Sequence, residues 1–333
     1  MAFVYRLATG MRNAAFDSGV LRAHRLAARV VSVGNLTVGG TGKTPLVARL
    51  VAEARQAGRW PGVLARGYGR APGAELNDEG QLLARRFPDL PQVQDPDRVR
   101  GGQKLLELCA DPAVDLILLD DGFQHRRLAR DFDIVCVDAL HPFSSGGLLP
   151  AGNLREAARS GLARAGSLVL TRADRLTSAD QVEGRIQQLR ELAGREDLPV
   201  HPSRHAPSGL LPVVEGGGEP RGLDSLKGRR VVLVSAIARP GSFRETVESL
   251  GAEVRAEVVF KDHHRYRSAD VETIERRLTA ESKAVGGEVD LLTTEKDAVK
   301  LRDFGARMQH AWALQVTIEW MGPPPTAAQL GLV

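Results

Sequence analysis

Short apolar runs alternate along this chain with longer segments in which apolar residues recur every three or four positions. Val30-Val31-Ser32-Val33-Gly34 is a β-branched run of the kind that forms a buried strand. Behind it Leu46, Val47, Leu50, Val51 and Ala54 share one helical face, which Gly58 closes. Further strands are predicted over 61–66, 114–119, 132–137 and 167–171. A second series follows, with strands over 230–235, 253–260, 289–293 and 311–318 and helices over 242–250 and 269–284. This alternation predicts an α/β fold of mainly parallel sheet with right-handed crossovers.

Proline and glycine cluster over 194–229, with Pro199, Pro202, Pro207, Pro212, Gly216-Gly217-Gly218 and Pro220, which reads as an interdomain connection. The expected organisation is an N-terminal segment 1–29, a first α/β domain 30–205, a linker 206–229 and a smaller α/β domain 230–333. Residues 71–103 read as a long polar connection with one helical piece near 81–86, and such connections tend to carry function.

Residues 1–29 read as two helical pieces broken near Asp17-Ser18-Gly19. Phe3 or Val4, Leu7, Met11 and Ala14 or Ala15 share one face of the first, and Arg22, Arg25 and Arg29 one face of the second. Arg6 and Arg12 bring the arginines of this segment to five against a single acid, Asp17. Such a pattern fits a helix lying in a membrane interface, or equally a surface helix with solvated arginines.

At 333 residues, with 43% apolar and 26% charged residues, the chain has the makeup of a soluble two-domain protein. No run approaches the roughly 18 to 20 apolar residues of a spanning helix, and the N-terminus lacks a signal-peptide core, so a cytoplasmic setting is expected. Cys109 and Cys136 sit in apolar segments and read as buried free thiols. The net charge is only +4, and zinc-finger, recognition-helix and aromatic RNA-binding signatures are all missing, which argues against nucleic acid.

The chemistry concentrates after the first strand. Gly39-Gly40-Thr41-Gly42-Lys43-Thr44 lies between strand and helix, the layout of a phosphate-binding loop. There backbone N–H groups surround phosphates, Lys43 reaches the β/γ oxygens and the Thr44 hydroxyl holds Mg²⁺. The first glycine of the common pattern is replaced by Thr37. The strand over 114–119 runs into Asp120-Asp121-Gly122-Phe123-Gln124-His125, which supplies a carboxylate for the magnesium shell opposite Thr44. Which of the two aspartates is nearer the metal stays open. In the second half, the loop Phe260-Lys261-Asp262-His263-His264-Arg265-Tyr266 follows a strand, where α/β sheets place substrate and catalytic groups. Thr293-Thr294-Glu295-Lys296-Asp297 reads as a helix cap.

Taken together, these motifs resemble the tetraacyldisaccharide 4′-kinase family, the lipid A 4′-kinases, over nearly the whole length. The resemblance is carried by residues 32–45, where Thr37 is the family's own residue, and by Arg66-Gly67-Tyr68-Gly69-Arg70 and Asp120 to His125. Leu149-Pro150-Ala151-Gly152 with Arg155-Glu156, Asp262-His263 and Thr293 to Ala298 follow in the family's order. The family reads Gly-Asp-Glu-Pro where this chain has Asn77-Asp78-Glu79-Gly80.

The resemblance implies transfer of the ATP γ-phosphate, with Mg²⁺, to the 4′-hydroxyl of a tetraacylated glucosamine disaccharide 1-phosphate, forming lipid IVA. It implies two α/β domains joined by a two-stranded hinge, with the site in their cleft. By the same resemblance Asp78 is the base for the sugar hydroxyl, tuned by His263. Arg98, Gln124, Arg155 and Glu156 position phosphate, metal or substrate. The setting implied is peripheral, at the cytoplasmic face of the bacterial inner membrane, where the lipid A precursor and anionic lipid are the partners and no protein partner is expected. This frame favours the interfacial reading of residues 1–29, since arginines close to anionic lipid gain about 1 kcal/mol each.

Two other nucleotide-binding classes fit less well. Partitioning ATPases carry a lysine where Val38 stands. The GTPase-like Thr171-Arg172-Ala173-Asp174 has arginine in place of the guanine-reading lysine.

Overall fold

The computed structural model describes residues 2–39, 42–70, 73–109, 111–143, 146–237, 239–262 and 264–333. Gly40, Thr41 and His263, singled out by the sequence, and the Phe3 side chain lie outside this description. The chain forms two compact units, one of residues 1–205 with 318–333 and one of 206–317.

In the first unit the strands are β1 (Arg29–Asn35), β2 (Pro61–Ala65), β3 (Gln92–Gln94), β4 (Leu116–Asp120), β5 (Phe132–Asp138), β6 (Ser167–Thr171) and the start of β7 (Val200–Pro212). The helices are α1 (Ala2–Asp17), α2 (Lys43–Gln56), α3 (Asp78–Arg86), α4 (Arg98–Leu108), α5 (Ala158–Arg164) and α6 (Ala179–Ala193). The strand order is β3-β2-β4-β1-β5-β6-β7, with parallel pairing throughout. Alternate residues of the central strands enter two different cores. Val31, Val33, Leu116 and Leu118 meet Leu46, Leu50 and Val51 of α2 on one face. Val30, Ile117 and Leu119 meet Val99 and Leu105 of α4 on the other. Burial on both faces is why these strands read as continuous apolar runs.

The second unit contains β8 (Arg230–Ser235), β9 (Glu253–Val259), β10 (Asp290–Thr294) and β11 (Ala311–Trp320), with α7 (Pro240–Ser249), α8 (Ser268–Val285) and α9 (Glu295–Leu301). Its order is β11-β10-β8-β9, again parallel. Val232, Val234 and Leu291 pack on one side, Val231, Leu233 and Leu292 on the other. The chain passes between the units within β7 and again within β11.

Three stretches differ from the sequence reading. The second helical piece expected near Arg22, Arg25 and Arg29 does not form. The helix stops at Asp17, Gly19 takes a left-handed φ of 75°, and the chain runs extended. There His24 exchanges backbone hydrogen bonds with Arg127 (2.8 Å) and Ala129 (2.9 Å), which a helix could not offer it. Residues 206–229, expected to connect domains, begin with the second half of β7 and belong to the second unit, whereas 318–333 return to the first. The polar stretch 71–103 holds α3, β3 and the start of α4. Its Gly101 and Gly102, which resemble loop residues, let α4 approach Leu64 and Leu26 closely.

Candidate active site

Register decides what stands beside the phosphate loop. Val33 of β1 pairs with Asp120, the last residue of β4, so the loop leaving β1 and the acidic turn leaving β4 emerge side by side. Gly34 makes that turn possible, since a Cβ there would lie 2.5 Å from the Cβ of Phe123. α2 begins at Lys43 after Gly42, whose φ of 83° excludes most side chains and whose Cα is covered by the His205 ring. Gly42 as N-cap offers no side-chain cap, so among the described residues the first N–H groups of α2 remain for an anion. Thr44 is buried in the first turn.

Lys43 Nζ lies 3.2 Å from Asn35 Oδ1 and 3.5 Å from Asp121 Oδ1. Arg155 Nη1 donates to both oxygens of Asp121 at 2.9 Å and stands 3.4 Å from Gln124 Oε1. Gln124 Nε2 donates to the Asn35 carbonyl (2.9 Å) and to Glu156 Oε1 (3.1 Å). Arg164 closes on Glu156 at 2.7 Å. Lys43, Asp121, Gln124, Arg155 and Glu156, spread over more than a hundred residues of sequence, thus form one network.

The two aspartates differ electrostatically. Burial raises the Asp120 carboxyl to about 7, reinforced by the nearby charge of Glu79, and its Oδ1 has no partner among the described residues. Burial would raise Asp121 too, but Lys43 and Arg155 outweigh it and hold that carboxyl below its usual range. Arg98, the first residue of α4, is almost wholly enclosed. Its Nη1 donates to the Asp95 carbonyl at 2.7 Å, its Nε has no partner among the described residues, and burial lowers its pKa against the pull of Asp121 and Asp120.

Asp78 opens α3, half-buried, with Glu79 beside it. Asn77 supplies the cap. Its Oδ1 accepts from Gly80 N (3.0 Å) and Gln94 Nε2 (2.7 Å), and its Nδ2 donates to the Tyr68 carbonyl (3.0 Å). Gly80 leaves the room that Gln94 fills, since a Cβ there would lie 2.5 Å from Gln94 Nε2. The departure from Gly-Asp-Glu-Pro is therefore answered by a third residue, and the loop is bound at three points.

An uncapped helix start, an ammonium, a hydroxyl and a carboxylate oxygen with no partner suit a polyphosphate carrying a hard divalent cation. Among the described residues no three His, Cys, Asp or Glu side chains converge on one point, and a magnesium ion completed by phosphate and water oxygens needs no such cage.

The family model for tetraacyldisaccharide-1-P 4′-kinase, LpxK, matches residues 1–331. The chain belongs to this family. A tetraacyldisaccharide 4′-kinase of Anaeromyxobacter sp. (strain K) is 42% identical over 313 residues, covering 89% of this chain and 79% of the relative. That of Geobacter sulfurreducens is 35% identical over 348 residues, covering 100% and 91%. Among solved structures, LpxK from Aquifex aeolicus in complex with ATP superposes with a TM-score of 0.76 at 28% identity, covering 99% of this chain and 95% of that one.

Tyr5 and Asn13 gave no signal in the sequence, and Asn35, though inside the 32–45 motif, is assigned no role by it. Asn35, fully buried at the end of β1, holds Lys43 while its own Nδ2 has no partner among the described residues. From α1, Tyr5 donates its hydroxyl to the Arg155 carbonyl (2.9 Å) and Asn13 donates Nδ2 to Glu156 Oε2 (3.1 Å). Arg12 also reaches the Gln124 carbonyl. Arg172, in the GTPase-like segment, pairs with Asp138.

Proposed function

We propose that this kinase transfers the γ-phosphate of ATP to the 4′-hydroxyl of tetraacyldisaccharide 1-phosphate, forming the bis-phosphorylated lipid A precursor lipid IVA. The observation that carries the reading is Lys43, held between Asn35 and Asp121 at the uncapped start of α2 beside the buried Asp120. Lys43 would reach the β/γ oxygens, and the N–H groups at the start of α2 would bind the phosphates. Thr44 and Asp120 would hold the cation, with Asp121 engaged by Arg155 and Lys43 rather than freely offered. Mg²⁺, when bound, neutralises charge building on the β- and γ-phosphoryl oxygens. Arg98 and Arg155 add fixed positive charge, and Gln124 and Glu156 hold Arg155 and its neighbours in line. Asp78 accepts the proton of the sugar hydroxyl as transfer proceeds, and His263 tunes it, as the family resemblance implies.

The reading continues to the membrane. No helix among the described residues is long and apolar enough to cross one. α1 exposes Val4 (66%), Leu7 (55%) and Met11 (65%), while Tyr5 and Asn13 hold the site. A helix so divided suits contact with anionic lipid at the cytoplasmic face of the inner membrane, where an acylated substrate is met.

The test is direct. Full-length protein with Mg·ATP and the disaccharide monophosphate in detergent should form the bis-phosphorylated product. Lys43→Ala and Asp78→Ala should lose turnover, the latter with ATP affinity intact. No product from the parent protein would overturn the reading, and a fully active Asp78→Ala would reassign the base.

A further inference from the structure

The loop between β9 and α8 is built as a block. The Phe260 N–H donates to the Ser235 carbonyl at 2.9 Å, and the His264 N–H to the Lys261 carbonyl at 2.9 Å. The rings of Phe260 and His264 stack with centroids 4.8 Å apart, and Tyr266 meets both edge-on at 5.2 and 5.3 Å. At the helix side His264 Nε2 lies 2.9 Å from Asp270 Oδ2, which also accepts the Arg267 N–H at 2.8 Å. The block ends in the Tyr266 hydroxyl, which is buried and has no partner among the described residues.

Facing it is Asp297, fully buried in the first turn of α9. Its Oδ2 already has two partners, the Ala236 N–H at 3.0 Å and Thr294 Oγ1 at 2.7 Å. Its Oδ1 has none among the described residues. The two groups are in contact: burial, then the Asp297 charge, then a hydrogen-bonding approach of the hydroxyl to that carboxylate push the Tyr266 hydroxyl pKa upward. A buried hydroxyl and a buried carboxylate oxygen are both costly to leave unpaired, and one bond between them satisfies both. Helix capping accounts for Oδ2 alone, so it does not explain why a carboxylate with a second buried oxygen stands here.

We propose that Asp297 is a positioning residue for the phosphoryl transfer, acting through the Tyr266 hydroxyl to hold the loop whose sequence includes Asp262-His263. This rests on the reading that the loop takes part in catalysis. Asp297 touches neither nucleotide nor sugar in this scheme. It acts by holding the packed rings of Phe260, His264 and Tyr266 in one arrangement, and binding of ATP by the first unit does not depend on it.

Steady-state kinetics of full-length Tyr266→Phe, with Mg·ATP and the disaccharide monophosphate, test this. A hydrogen bond of ordinary strength corresponds to about a fivefold change. The expected result is kcat lowered about fivefold or more, with the KM for ATP within error of the parent at a temperature where both proteins are fully folded. Asp297→Asn should lower kcat likewise, and if it fails to fold, Tyr266→Phe alone decides. His263→Ala runs beside them. If His263→Ala loses turnover while Tyr266→Phe keeps kcat within twofold, the positioning role is wrong and the catalytic loop stands. If His263→Ala is fully active, the reading of the loop itself falls, and the inference with it. A matching shift in the KM for ATP would also overturn it, as the sign of a general structural role.

Discussion

Arg155 brings a single nitrogen, Nη1, to 2.9 Å from both carboxylate oxygens of Asp121, while Lys43 stands 3.5 Å from the same carboxylate. Asp121 is thus shared by two cations, and neither is exposed enough for water to replace the other cheaply. Arg155 is held from behind by its N–H to the Leu36 carbonyl (2.8 Å) and by the Tyr5 hydroxyl on its own carbonyl. Arg155→Ala should therefore lower kcat/KM by about 10²-fold, the usual cost of losing one aimed charge in such a site. Steady-state kinetics check this, and a loss of only a few-fold would mean that Lys43 alone suffices.

The cap on α3 makes a stability prediction. Asn77→Ala should cost about 1 kcal/mol, read as a lowered midpoint in urea unfolding. Gly80→Ala should also destabilise, because the Gln94 amide occupies the space the methyl needs. Adding Gln94→Ala should relieve part of that clash. If Gly80→Ala and Gly80→Ala/Gln94→Ala unfold at the same midpoint, Gln94 is not the obstacle.

Asp120 links stability to pH. Burial first, then the Glu79 charge, raises its folded pKa to about 7, above the ordinary carboxylate value in the unfolded chain. A raised pKa means that the folded state binds the proton more tightly. Its stabilising contribution is complete below the unfolded pKa and is lost as pH rises toward 7. Without nucleotide and in chelator, stability should therefore fall across about pH 4 to 7 more steeply than in Asp120→Asn. Chemical unfolding at a series of pH values measures both slopes, and identical slopes would show that Asp120 ionises normally.

On α1 the two faces should separate in experiment. Replacing Val4, Leu7 and Met11 with Ser removes exposed apolar surface and should weaken co-sedimentation with anionic vesicles, leaving detergent-based turnover nearly intact. Asn13→Ala should do the reverse, sparing vesicle binding and lowering turnover through Glu156. Unchanged sedimentation of the triple variant would remove the case for lipid contact.

The strand–loop–helix around Lys43, the strand ending at Asp120 and most elements of both α/β series follow from local pattern, because apolar periodicity and glycine placement act within a few residues. The same holds for the Thr294 cap of α9, which the short Thr-Thr-Glu-Lys-Asp stretch announces. Other features depend on distant partners and carried no such mark. Whether residues 22–28 coil or extend is settled by His24 finding backbone partners at Arg127 and Ala129. β7 survives its three prolines, a composition that reads as a linker when its neighbours are unknown. Asn35, Tyr5 and Asn13 gain their importance from Lys43, Arg155 and Glu156, and no spacing rule connects residues that meet only after the sheet has formed. Local pattern thus marked Lys43, Thr44 and the Asp120-Asp121 pair, and the family resemblance pointed to Asp78, His263, Arg98, Arg155 and Glu156. The single network joining Lys43, Asp121, Gln124, Arg155 and Glu156 was decided by strand register and helix docking. Those depend on hydrogen bonds and burial between segments that meet only in the folded sheet, from 8 residues apart for Asn35 and Lys43 to 150 for Tyr5 and Arg155.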